Sequence, residues 1–321
     1  MKTFAAMNTE FLLDGLSEAD TATAETMILH GERTFSRFRE DSEVSVINRN
    51  KGRWTRVSEL TFRLLEDAWR AYVVTGGIFN PFLGADLRRA GYDGSFETLS
   101  QTMPTRRKEE KDKDCSATPL GCPADQPVLL FDAAAGAVLL AETAELDLGG
   151  FAKGWIAQYA AERLLWGGAK AGLIDAGGDI ILWGREPRQG VWGVEVSHPL
   201  NREDSIADLW LEGMTAMATS NVIKRSWCNP SGRRAHHILD PRTRRPVESD
   251  ILQATVLTRD LAAAEQYAKS LIILGSAEGI PWLAGQNHAA AYIAVRQDGT
   301  ILTSDNLSWY CQEWKVYHHA S

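Results

Sequence analysis

Apolar residues recur along this chain at two spacings, and the spacing changes several times. A helical repeat opens at Ser17, where Met27, Ile28, Gly31, Phe35 and Phe38 fall on or near one face. A second helix is predicted from an N-cap at Ser58, with Phe62, Leu65, Trp69 and Val73 on one stripe and a stop at Gly76-Gly77. A third runs from about 152 to 166, where Ile156, Ala160 and Leu164 stand four apart, and ends at Gly167-Gly168. The fourth is capped by Asp260 and carries Leu261, Ala264, Ala268, Leu271 and Leu274. Short or alternating apolar runs mark strands instead. "AAMNTEFLLDG" reads as a strand and a turn, "VLLFD" and "AVLLAE" as a pair, and "AGLIDAGGDIILWG" as two strands parted by a glycine break. "VWGVEV", "DLWLEG", "TAMATS" and "ILQATVLT" follow as short strands, and "AAYIAVRQDGTILTS" is a hairpin turned at Asp298-Gly299.

Other stretches carry neither period. "SRFREDSEVSVIN" is polar and turn-rich up to Asn48. Residues 78–94 contain Pro81 and several glycines, which argues against a regular element there. Residues 105–126 mix both charges with Pro and Gly and read as a charged surface insertion. Strands arrive in runs between a few helices, with no strict βαβ alternation. The expected class is therefore α+β, with mixed or antiparallel sheets flanked by helices, in a single domain over 1–321. No GxxxxGK[ST] motif is present and no GxGxxG opens a helix, so P-loop and Rossmann readings fall away.

Composition narrows the function classes. With 321 residues the chain can bury a full core, and 44% hydrophobic residues fit a globular protein. A net charge of -8 argues against non-specific nucleic-acid binding, which needs a basic face. No run approaches the length of a membrane span, and the first residues show neither a signal sequence nor a lipobox, so a cytoplasmic protein is expected. The four cysteines, Cys115, Cys122, Cys228 and Cys311, have no zinc-type spacing and read as thiols.

Candidate chemistry concentrates in a few motifs, each with a plain alternative. "ELDLGGFAKG" joins Asp147, two glycines and Lys153 at the start of a helix, where free N–H groups attract anions. Its alternative is a tight turn with Asp147 as a local cap. "LIDAGGDI" sets Asp175 and Asp179 around two glycines and reads best as a tight corner between strands. "MATSN" offers Thr219, Ser220 and Asn221 to a pyrophosphate or to a turn. "GGIFNPFLGADL" offers Phe79 for stacking and Asn80 for hydrogen bonding, or simply covers the core. "AHHILDPRTRRPV" puts His236 and His237 ahead of Asp240, with Arg234, Arg242, Arg244 and Arg245 close by. This suits a base beside a phosphate site, or a charged surface turn with a buried histidine. Glu265 and Lys269 stand one helical turn apart, which by itself describes an ordinary helix ion pair.

Taken in order, "AMNTEF", "FSRFREDSEVSVIN", "GGIFNPFLGADL", "LDLGGFAKGW", "LIDAGGDI", "MATSN" and "HHILDPRTRRPV" resemble the ApbE family, the FAD:protein FMN transferases, from about residue 4 to residue 295. The resemblance implies that FAD binds between two halves of an α+β fold, with a divalent cation, usually magnesium, on its pyrophosphate. A Thr or Ser hydroxyl of an acceptor protein attacks the phosphorus of the FMN half, and AMP leaves. It further implies that Asp147 and Lys153 contact FAD, and that Met7, Phe38, Ile78, Phe79, Asn80, Ser220 and Ile238 line it. The Gly150 carbonyl, Glu265 and the position of Lys269 belong to the metal site. His237 is expected to take the hydroxyl proton, oriented by Asp240.

The chain departs from the family's pattern at the metal helix, where "ADALATAL" becomes "AEQYAKSL". Glu265 stands for Asp, and Lys269 stands for Thr. An ammonium is no metal ligand. Either Lys269 pairs with Glu265 and leaves a weaker metal site, or its charge replaces that of the metal. "TSG" also becomes "TSN", "FDP" becomes "FNP", and "RTGRP" becomes "RTRRP". Alternatives to the transferase are hydrolysis of FAD to FMN and AMP, and non-catalytic flavin binding.

Overall fold

The computed structural model describes residues 1–92, 128–201, 203–224, 226–228 and 234–317. The charged stretch expected at 105–126, with Cys115 and Cys122, lies outside the described residues, as do the side chains of Cys228 and Arg234. In chain order, β1 (Lys2–Ala6) and β2 (Thr9–Asp14) form a hairpin ahead of α1 (Glu18–Phe35). Next come α2 (Glu43–Arg49), β3 (Trp54–Arg56), α3 (Glu59–Val74), α4 (Gly84–Arg89), β4 (Leu129–Asp132) and β5 (Ala137–Leu140). α5 (Ala152–Trp166) leads into β6 (Gly172–Ala176), β7 (Ile180–Trp183), β8 (Trp192–Ser197), β9 (Ser205–Leu211) and β10 (Thr215–Asn221). Four short strands follow: β11 (Ser226–Cys228), β12 (Arg234–His236), β13 (Leu239–Asp240) and β14 (Arg245–Pro246). β15 (Ile251–Thr258), α6 (Leu261–Gln286), β16 (Ala291–Arg296), β17 (Ile301–Thr303) and β18 (Cys311–Val316) complete the order.

The chain divides into two compact units. One comprises Met1–Glu32, Phe151–Ile223 and Ser249–Ser321; the other comprises Arg33–Gly150 and Lys224–Glu248. The first unit is built on an eight-stranded sheet ordered β1-β2-β6-β7-β10-β15-β16-β17. Every pairing in it is antiparallel. A three-stranded sheet, β18-β9-β8, shares a core with it that includes Leu182, Trp192, Leu209, Met217, Leu257 and Ile293. β8 shows the alternation this requires: Trp192, Val194 and Val196 are buried and the residues between them are exposed. α6 packs on β10 and β15, and α5 packs on α6, β6 and β7. Central strands are thus covered on both sides, which is why β7 reads as an unbroken apolar run, Ile180–Trp183. The second unit holds the small sheet β3-β5-β4 and the helices α2 to α4.

The α+β class with antiparallel sheets and most predicted elements are present, and several local expectations are corrected. "AAMNTEFLLDG" is two strands, because Met7 and Asn8 take left-handed φ values of 51° and 57° and close a hairpin. Phe38 lies beyond the end of α1 and is partly exposed. "SRFREDSEVSVIN" contains α2: the Ser42 hydroxyl accepts from the Ser45 N–H at 3.1 Å, and Val44 and Ile47 are buried. Its turn residues are the helix cap. α3 does begin at an N-cap Ser58, but its buried side is Leu64, Leu65, Ala68, Ala71 and Tyr72, while Val73 is exposed. α4 occupies part of 78–94, just after the Pro81 segment. The residues leading into "LDLGGFAKG" run beside the Pro81 segment: Leu83 bridges Glu145, the Gly84 N–H donates to the Glu145 carbonyl at 3.0 Å, and the Asp147 N–H donates to the Pro81 carbonyl at 2.8 Å.

Candidate functional site

In the first unit the site is assembled where two helices cap each other. α5 has Phe151 at its N-cap, a residue that offers no side-chain hydrogen bond. Its orphan donors find partners elsewhere: the Gly154 N–H donates to Glu265 Oε2 of α6 at 3.2 Å. A Cβ at position 154 would sit 2.7 Å from that oxygen, so glycine is what lets the carboxylate reach the backbone. In return, Gln158 Oε1 of α5 accepts from the Leu261 N–H at 2.9 Å, beside the Asp260 cap on the Ala263 N–H at 2.7 Å. Asp147 is therefore not the cap of α5. Its Oδ1 accepts from the Gly149 N–H at 2.8 Å and closes a local turn within the second unit.

Around this junction lies a buried charge cluster. Lys153 Nζ donates to Asp179 Oδ2 at 2.6 Å and to Glu265 Oε1 at 3.3 Å. Lys269 Nζ donates to the same Glu265 Oε1 at 3.0 Å. The helix pair Glu265–Lys269 is real, but it is buried and not a solvated surface bridge. Burial alone would raise the Glu265 carboxyl; Lys153 and then Lys269 overcome this and hold it down at about 2. Removing one member of such a set leaves a buried charge unanswered, at about 3–5 kcal/mol. Asp179 reaches the cluster because the β6–β7 hairpin turns through Gly177 and Gly178, at φ values of 74° and 97°. Its Oδ1 accepts from the Thr219 N–H of β10 at 3.2 Å. Neighbouring Asp175 accepts from the Gly178 N–H at 2.6 Å, and burial pushes its carboxyl up. "LIDAGGDI" is the tight corner expected from its glycines, and it also delivers a charged partner to Lys153. That second role was not legible: only the carboxylate beside two glycines hinted at it.

The other first-unit candidates lie nearby in sequence or at the sheet edge. Ser220 follows Thr219 on β10 and is buried. Met7 sits in the β1–β2 turn, with its N–H donating to Glu32 Oε1 at 2.6 Å.

In the second unit, Asp147 pairs through Oδ2 with Arg37 Nε at 2.6 Å, both side chains being nearly buried. The Arg37 guanidinium lies 4.3 Å from the Phe38 ring centroid and 5.0 Å from that of Tyr92, and donates to the Tyr92 carbonyl at 2.9 Å. Arg37 is a site neighbour that the residue pattern alone did not single out. Leu146, one residue before Asp147, is clamped by Asn48, whose amide donates to its carbonyl at 2.9 Å and accepts from its N–H at 2.8 Å. Ile78 and Phe79 are buried, and Asn80 Oδ1 accepts from the Phe82 N–H at 2.9 Å. Gly150 is half-buried after the Gly149 turn.

The two histidines differ. His236 is buried, with Nε2 3.1 Å from the Val247 carbonyl and Nδ1 accepting from the Ile238 N–H at 3.3 Å. His237 is half-buried, and Ile238 after it is buried. The Asp240 carboxylate is engaged by Arg242, whose backbone N–H and Nε donate to Oδ1 at 2.8 Å and 2.9 Å. Asp240 and Arg242 thus close a tight turn three residues after His237. Cys311 is a buried thiol pushed up to about 12 by burial, which makes it no nucleophile.

The magnesium site implied by the resemblance does not fit these residues. Magnesium asks for several oxygen ligands in near-octahedral array. Glu265 Oε1 already accepts from two ammonium groups and Oε2 from a backbone N–H. Two ammoniums balance the carboxylates of Glu265 and Asp179, and burial works against charge on the third carboxyl, Asp175, so little negative charge is left to draw a divalent ion.

The sequence model of the ApbE family matches residues 1–294. The FAD:protein FMN transferase of Klebsiella pneumoniae (strain 342) is 27% identical over 270 residues, 83% of this chain and 79% of its own length. The protein of that name from Vibrio cholerae is 28% identical over 267 residues, 82% of this chain and 75% of its own. Among solved structures, the ApbE protein of Thermotoga maritima superposes with a TM-score of 0.80 at 26% identity, covering 97% of this chain and 99% of its own. The flavin transferase ApbE of Vibrio cholerae gives a TM-score of 0.74 at 20% identity over 96% of this chain and 98% of its own, a likeness of fold.

Proposed function

The chain belongs to the ApbE family, and on that footing we propose that it transfers the FMN half of FAD to a Thr or Ser hydroxyl of an acceptor protein, releasing AMP. The observation that carries this reading is the pair of buried ammoniums, Lys153 and Lys269, fixed on Glu265 at the start of α5. Preoriented N–H donors, held in place before the substrate arrives, are what a pyrophosphate under attack requires. The acceptor oxygen bonds to the phosphorus of the FMN half. The bond from that phosphorus to the bridging oxygen breaks, and AMP leaves as an anion beside the ammoniums. The hydroxyl proton passes to His237. Asp240 serves that step indirectly, by holding the turn with Arg242. Within the second unit, the Asp147–Arg37 pair, the side chains of Phe38, Ile78, Phe79 and Ile238, and the polar Asn80 are the proposed FAD contacts; within the first, they are Met7 and Ser220. Among the described residues no helix is long and apolar enough to cross a membrane.

The test follows AMP release and the mass of a Thr-containing acceptor incubated with FAD and the protein. AMP together with an acceptor heavier by FMN is the expected result. AMP with free FMN and unmodified acceptor would replace the transferase by a hydrolase. FAD left intact would reject both.

A further inference from the structure

The fit of the charge cluster carries a consequence for the metal. Lys269 is the most accessible member of the cluster, with 14% of its side chain exposed against 9% for Lys153 and 1% for Glu265. An ammonium has three donors, and one of those on Lys269 is directed at Glu265. Were position 269 neutral, Lys153 alone would face Glu265 and Asp179, the cluster would carry a net negative charge, and Glu265 Oε1 would lose a donor. That is a set a divalent cation could join. With Lys269 in place the charge is balanced from within the chain.

We propose that Lys269 is a built-in replacement for the divalent cation: its ammonium occupies the Glu265 carboxylate that a cation would need and keeps the cluster from repelling the pyrophosphate of the FAD donor, so that the protein holds and uses FAD without a metal. This rests on the reading of FAD as donor substrate. The side chain is fixed by the i,i+4 spacing on α6 and by the carboxylate it shares with Lys153, so its position depends on no dissociable ion.

Two measurements on the metal-stripped protein test this. FAD affinity is read by flavin fluorescence in EDTA and again in excess magnesium, and magnesium alone is titrated into the flavin-free protein by calorimetry. Expected are FAD dissociation constants that agree within about twofold and no saturable magnesium heat. Lys269→Thr is expected to weaken FAD binding in EDTA by about tenfold or more, and to regain it when magnesium is added. Lys269→Gln, which keeps length and a donor while losing the charge, repeats the EDTA measurement if the threonine variant does not fold. A wild-type protein that loses about tenfold in FAD affinity in EDTA, or that binds magnesium saturably, overturns the proposal. If FAD binds in neither buffer, the donor reading falls, while the magnesium titration still decides whether Lys269 has closed the cation site.

Discussion

At the residue scale, adjacent histidines stand in different surroundings. His236 is held at both ring nitrogens by backbone groups of its own unit, whereas His237 is half-buried and is the residue proposed as the base. His236→Ala should therefore lower folding stability by about 1–3 kcal/mol, the range for stranding buried polar groups. His237→Ala should leave the urea midpoint nearly unchanged and abolish AMP release. Paired denaturation and AMP assays on the two variants check this. Transfer that survives in His237→Ala removes that residue as the base.

At the element scale, α5 and α6 depend on one carboxylate. Glu265 closes the N-terminus of α5 and binds two ammoniums, all from one turn of α6. Its folded value near 2 lies below its ordinary 4.5. The sign follows from linkage: the stability it adds is present in full above about 4.5 and is lost as pH falls through that value toward 2. Urea midpoints recorded between about pH 5 and pH 2.5 should fall more steeply for the wild type than for Glu265→Gln, which keeps hydrogen bonding and cannot ionise. Parallel slopes would show that Glu265 gains nothing from its lysines.

At the scale of the whole molecule, the proposed ligand is itself a stability term. FAD binding only the folded chain should add about 2.7 kcal/mol to unfolding at a hundredfold excess over its dissociation constant. The rise should appear in EDTA as well as in magnesium. Chemical denaturation at several FAD concentrations measures it. A midpoint indifferent to FAD would contradict flavin binding altogether.

The sequence by itself determined the elements whose signals are local. Ser58 and Asp260 cap their helices because a side-chain oxygen two or three residues from an N–H needs no distant partner. The Asp298-Gly299 and Gly177-Gly178 turns follow from residues that tolerate left-handed backbone. The family was also legible, because its motifs keep their order along the chain. Tertiary structure alone decided which side of α3 faces inward, that Asp240 pairs with Arg242, and that Arg37 answers Asp147. It alone decided that Lys153, Asp179, Glu265 and Lys269 form one cluster. The physical reason is distance along the chain. Lys153 is separated by 112 residues from the carboxylate it shares with Lys269. Periodicity and spacing register neighbours within a few turns, while a buried charge is set by whichever segments the sheet brings together.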